Sequence, residues 1–115
     1  HYFSISLYFS GIRAQVQLRQ PQSVSVQYGG EVRLSCNASG YQFTNYGIAW
    51  LRQIPSKEPV YMGYISPYSE YIYVTQSFIG RFNINTDNSR SMAYLDIRNV
   101  QLEDAAVYYC ARDPQ

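Results

Sequence analysis

Side chains capable of chemistry are scarce in this chain of 115 residues. Its single histidine is His1, so the body of the sequence holds no Ser-His-Asp or Cys-His pair for nucleophilic catalysis. The only cysteines, Cys36 and Cys110, lie 74 positions apart. Without interior histidines they are too few for a zinc set. Glu103-Asp104 is the only pair of adjacent carboxylates, and Gly29-Gly30 sits in no phosphate-binding pattern. The inventory therefore points away from an enzyme, a metal or a cofactor. Tyrosine, in contrast, is abundant: thirteen residues in a chain whose aromatic content is 17%. A buried tyrosine must satisfy its hydroxyl, so a core does not need so many. Strand formation accounts for about half of them. The rest suggest a recognition surface, because tyrosine gives large contact area at small rotamer cost.

Nine Lys+Arg against eight Asp+Glu leave a net charge of +1, which offers no electrostatic case for nucleic acid or for an anionic membrane. The length suits one domain with one core. An even cysteine count fits an oxidising compartment, with the thiols either bridged or buried and free.

The elements that must position these residues are strands. Val32, Leu34, Cys36 and Ala38 alternate with Arg33, Ser35 and Asn37, as one half-buried strand would. Phe82 and Ile84 repeat the pattern, as do Ala93, Leu95 and Ile97. Further strands are expected over 15–20 (at an edge, because of Pro21), 47–53, 60–65, 71–74 and 106–112. Turns are expected at Tyr28-Gly29-Gly30, Ile54-Pro55-Ser56-Lys57 and Thr86-Asp87-Asn88-Ser89. About nine short strands at regular spacing, with no helical period beyond a turn, predict an all-β sandwich.

Trp50, the only tryptophan, lies between the two cysteines, and Tyr108 stands two residues before Cys110. With these residues, the stretches Gln15-Val16-Gln17-Leu18, Leu34-Ser35-Cys36, Trp50-Leu51-Arg52-Gln53, Met62-Gly63-Tyr64-Ile65, Gly80-Arg81-Phe82, Ala93-Tyr94-Leu95 and Asp104 to Arg112 resemble an antibody heavy-chain variable segment over residues 15–112. The resemblance implies an immunoglobulin V-type Greek-key β-sandwich. Cys36 and Cys110 would bridge its sheets, Trp50 would pack on the bridge, and Tyr108 would close the turn into the second cysteine's strand. It implies a core place for Gln20 and an ion pair between Arg81 and Asp104. It also implies antigen recognition at two loops holding Tyr41, Asn45, Tyr46, Tyr64, Ser66, Tyr68, Ser69, Glu70 and Tyr71. A second variable domain, a light chain or a receptor partner, would dock on Gln53, Glu58, Pro59 and Tyr61. There Glu58-Pro59-Val60-Tyr61 replaces the more apolar stretch usual in heavy chains, and charge is depleted from the centre of such interfaces. Val100-Gln101-Leu102-Glu103-Asp104 looks rather like a T-cell receptor variable domain. A non-rearranging V-type cell-surface receptor is the other alternative.

Asn37-Ala38-Ser39 is an acceptor sequon for N-glycosylation. Residues 1–14 read as a leader remnant or as translated non-coding sequence, too short to span a membrane and set apart from the fold. The variable domain is expected over 15–113, with 114–115 as a tail. The last strand of such a domain is expected to be missing, as in an unrearranged germline segment. An unpaired sheet edge beside Cys110 and poor folding of the isolated chain are expected in consequence. As part of a longer chain, the domain would be secreted or displayed on the plasma membrane.

Overall fold

The computed structural model describes residues 2–10, 22–37 and 47–112. Nine strands are found among them: β1 (Tyr2–Ser10), β2 (Gln22–Gln27), β3 (Val32–Asn37), β4 (Ile48–Gln53), β5 (Val60–Ile65), β6 (Ile72–Val74), β7 (Phe82–Asp87), β8 (Met92–Ile97) and β9 (Val107–Arg112). They form a six-stranded sheet in the order β2-β1-β9-β4-β5-β6 and a three-stranded sheet in the order β3-β8-β7. The connections include single 3-10 turns, and no helix among the described residues is long and apolar enough to cross a membrane.

Period-two alternation sets which side of each strand is covered. Leu34 and Cys36 of β3 are buried while Arg33, Ser35 and Asn37 are exposed. Phe82 and Ile84 of β7 and Ala93, Leu95 and Ile97 of β8 complete the inner face of the smaller sheet. From the larger sheet, Ile48, Trp50, Met62, Ile65, Tyr108 and Cys110 meet them. The Cys36–Cys110 disulfide joins β3 to β9, and hence one sheet to the other, with its Cα atoms 6.4 Å apart. Trp50 pairs in register with Cys110 and is fully buried beside it. The turn after β2 uses Gly29 at φ 82°, a left-handed conformation that costs glycine least. Gly29 N–H donates to the Val100 carbonyl at 2.8 Å, and Val100 N–H returns to the Gly30 carbonyl at 2.9 Å.

The structure differs from the sequence-based division of the chain at its N-terminal end. Residues 1–14 were expected outside the fold and the edge of the Cys110 strand was expected to be unpaired. Instead β1 lies between β2 and β9, antiparallel to the first and parallel to the second. The physical reason is visible in its own pattern: Phe3, Ile5, Leu7 and Phe9 alternate with Ser4, Ser6 and Tyr8, which is the pattern of a half-buried strand. No strand follows β9 among the described residues. The strand expected over 15–20, with Gln20, lies outside them.

A buried charge cluster and a tyrosine-bearing sheet face

Asp104 is the one charged residue wholly buried among the described residues. It ends a 3-10 turn, Leu102–Asp104, that carries the chain from the smaller sheet into β9. Its carboxylate accepts from Arg81 Nη1 at 2.8 Å and Arg81 Nη2 at 3.1 Å. Arg52 Nη1 at 3.2 Å and the Gln101 N–H at 2.8 Å complete the set. Four donors match what an ionised carboxylate can accept, so the buried charge is both neutralised and fully hydrogen-bonded. The hydrogen bond to Asp104 is also the main reason that the Arg81 guanidinium is held above its ordinary pKa. Tyr108 Oη donates to the Asp104 carbonyl at 2.7 Å. Burial, foremost, pushes its phenol up to about 12.

Arg52 is the member of this cluster that sequence reasoning missed. On β4 it follows Ile48 and Trp50 at two-residue steps, on the same face, and pairs in register with Tyr108. A cation at an inward position signals a buried anion, and that signal was present in the sequence. Its guanidinium lies 4.7 Å from the centre of the Phe78 ring, and that of Arg81 lies 5.0 Å from Phe82, so both charges also rest on aromatic faces. A second pair, Arg33 with Asp96, sits on the outer face of the smaller sheet, joined by bonds of 2.7 and 2.9 Å. It holds the Asp96 carboxyl below its ordinary value.

The second surface of interest is the outer side of β5 and β6 and the turn between them. Tyr61 stacks on Tyr73 at 6.3 Å between ring centres, and Tyr64 lies 6.1 Å from Tyr71 at a tilt. Tyr64 and Tyr73 are paired in register, so the four rings form one strip. A Cβ on Gly47 would collide with the Tyr64 ring, so the glycine leaves that ring its space. The turn is closed on itself: Ser66 Oγ accepts from Tyr71 N–H at 2.8 Å, and Ser66 N–H donates to the Tyr71 carbonyl at 2.9 Å. Ser66 thus shapes the turn as well as lining it.

At its tip Tyr68 has φ 64° and ψ 13°, a left-handed conformation that costs a bulky residue about 1 kcal/mol or more. Its side chain is 67% exposed, and that of Tyr71 is 59% exposed. Glu70 is exposed between them, and Ser69 belongs to the same 3-10 turn. Tyr41, Asn45 and Tyr46 lie outside the described residues.

On the same sheet Gln53 is bonded at both ends of its amide: Oε1 accepts from Tyr109 Oη at 3.0 Å and Nε2 donates to the Lys57 carbonyl at 3.0 Å. Glu58, Pro59, Val60 and Tyr61 are exposed beside it. Asn37, which opens the glycosylation sequon, is exposed at the end of β3. Among the described residues, no group of three or more His, Cys, Asp or Glu side chains is arranged to hold a metal ion.

Two sheets joined by a disulfide beside a buried tryptophan define an all-β sandwich with its core clamped across the sheets. Residues 19–115 match the family model of the immunoglobulin V-set domain, and the chain belongs to that family. V-set domains are typically non-catalytic modules of extracellular proteins that bind ligands and pair with other domains.

Proposed function

We propose that this V-type domain recognises antigen as the variable domain of an immunoglobulin heavy chain, secreted or held at the plasma membrane within a longer chain. The observation that carries the reading is Tyr68: an exposed aromatic kept at a backbone position that would suit glycine or asparagine better. Strain of that kind persists where the side chain is used. Tyr71 and Glu70 flank it, and Tyr41, Asn45, Tyr46, Tyr64, Ser66 and Ser69 complete the antigen-facing set. Rigid aromatic anchors with small polar neighbours are the composition of antibody-like binding loops.

A second variable domain would dock on Gln53, Glu58, Pro59 and Tyr61. The internal bonding of Gln53 leaves its amide less to offer a partner, and Glu58 adds a charge. These features, with Leu102 exposed at 66%, also suit the heavy-like variable domain of a T-cell receptor chain. Full-length transcript sequencing separates the readings. Reads containing the codons for Cys36 through Cys110 are expected to diversify after Arg112 and to run into an antibody constant region. A T-cell receptor constant region would transfer the reading to that class, and invariant reads would replace it with a fixed surface receptor.

A further inference from the structure

We propose that the slot between β2 and β9 is an acceptor site for an extended amphipathic peptide strand, and that Tyr2–Ser10 is its exchangeable occupant in cis. The register carries the inference. Phe3 pairs with Val26 and Ile5 with Val24 on one side of the slot. Leu7 pairs with Tyr108 and Phe9 with Cys110 on the other. Residues paired across a ladder share a face of the sheet. Val26, Tyr108 and Cys110 are all buried, so the register sets positions 3, 7 and 9 of β1 beside core positions of its two neighbours. A slip of one residue would reverse this, so the slot selects one register of a strand alternating apolar and polar residues.

The direction of β1 distinguishes it from a strand supplied by a hairpin from β9. β1 runs parallel to β9, whereas a strand joined to β9 by a hairpin would run antiparallel to it. β4 already holds the other edge of β9. A strand following Arg112 and the strand Tyr2–Ser10 therefore compete for one edge and exclude each other. Main-chain bonds supply the affinity of such strand addition, and alternate side-chain positions supply its specificity.

The test uses the full chain and hydrogen exchange read peptide by peptide. In the unaltered protein, residues 2–10 and 107–112 are expected to exchange at least about a hundredfold more slowly than unstructured chain, independently of protein concentration. Coil-like exchange over 2–10, with β3 and β8 still protected, overturns the proposal. Protection that appears only with dimer formation also overturns it, by making a second copy's segment the occupant. In Ser6→Pro a central strand loses one N–H, and protection of 2–10 should be lost.

A fluorescent peptide with the sequence of residues 1–11 and a lysine tail should then bind this variant at least about tenfold more tightly than the unaltered chain. Equal or absent binding to a variant whose β3 and β8 remain protected would contradict an acceptor site. If Ser6→Pro unfolds altogether, refolding by the peptide in trans supports the proposal and failure to refold counts against it.

Discussion

Asp104 shows how much depends on partners rather than on charge alone. Removing one member of a buried ion pair leaves the other uncompensated, at a cost of about 3–5 kcal/mol. Asp104→Ala is expected to lose about that much in urea unfolding, because Arg81 and Arg52 would face an empty site. The exposed pair Arg33–Asp96, though its geometry is bidentate, should contribute far less because solvent screens it, so Arg33→Ala tests the contrast in the same assay. Tyr108 adds a pH signature. Its folded pKa is raised to about 12 from an ordinary 10.0, so its neutral form is favoured by folding. That stability is complete below pH 10 and is lost as the pH rises through about 12. Tyr108→Phe should be less stable at neutral pH, because the Asp104 carbonyl loses its donor, and should show a smaller further loss above pH 10. Asp96 has the opposite sign: its carboxyl is held below 3.8, chiefly by Arg33, so its contribution is present above that value and fades as the pH falls beneath it. At the loop tip, Tyr68→Asn is expected to keep or raise stability by up to about 1 kcal/mol, since asparagine tolerates the left-handed conformation. A clear loss of stability would show that the Tyr68 ring packs rather than binds.

Strands were legible in the sequence to the extent that their alternation was read. β3, β7 and β8 each present a clean apolar face, and β5 spans the residues expected from its pattern. β1 was the failure. By composition residues 1–14 read as a leader remnant or as translated non-coding sequence, too short to span a membrane. The alternation Phe3, Ile5, Leu7, Phe9 was available and is the same signal that marks β3. Arg52 was missed for a related reason: β4 was read for its tryptophan and not for the cation two positions further on the same face. The loop around Tyr68 illustrates the opposite limit. Its tyrosines were plain in the sequence, but the closure of the turn by Ser66 depends on a hydroxyl meeting an N–H five residues on, and no pattern announced it. Ser66→Ala should loosen that turn at a cost of about 1 kcal/mol, seen as faster exchange of the Tyr71 amide with little change in global unfolding. An unchanged amide would mean that the backbone bond from Ser66 N–H to the Tyr71 carbonyl suffices.

At the scale of the molecule, two sheets of unequal size are held face to face by one covalent link and the buried apolar side chains around it. The larger sheet gathers strands from both ends of the chain, so its integrity depends on contacts distant in sequence. The Cys36–Cys110 bridge closes most of that distance in the unfolded state and is expected to contribute about 2–4 kcal/mol. Trp50, the only tryptophan, sits beside it and so reports on it directly. The decisive measurement is urea unfolding of the full chain, oxidised and reduced, followed by Trp50 fluorescence. The oxidised protein should unfold in a single transition, with fluorescence rising as Trp50 leaves the quenching disulfide. It should be more stable than the reduced protein by about 2–4 kcal/mol. Equal stability in the two states, or two titratable thiols in the folded oxidised chain, would contradict a sandwich clamped through Cys36 and Cys110.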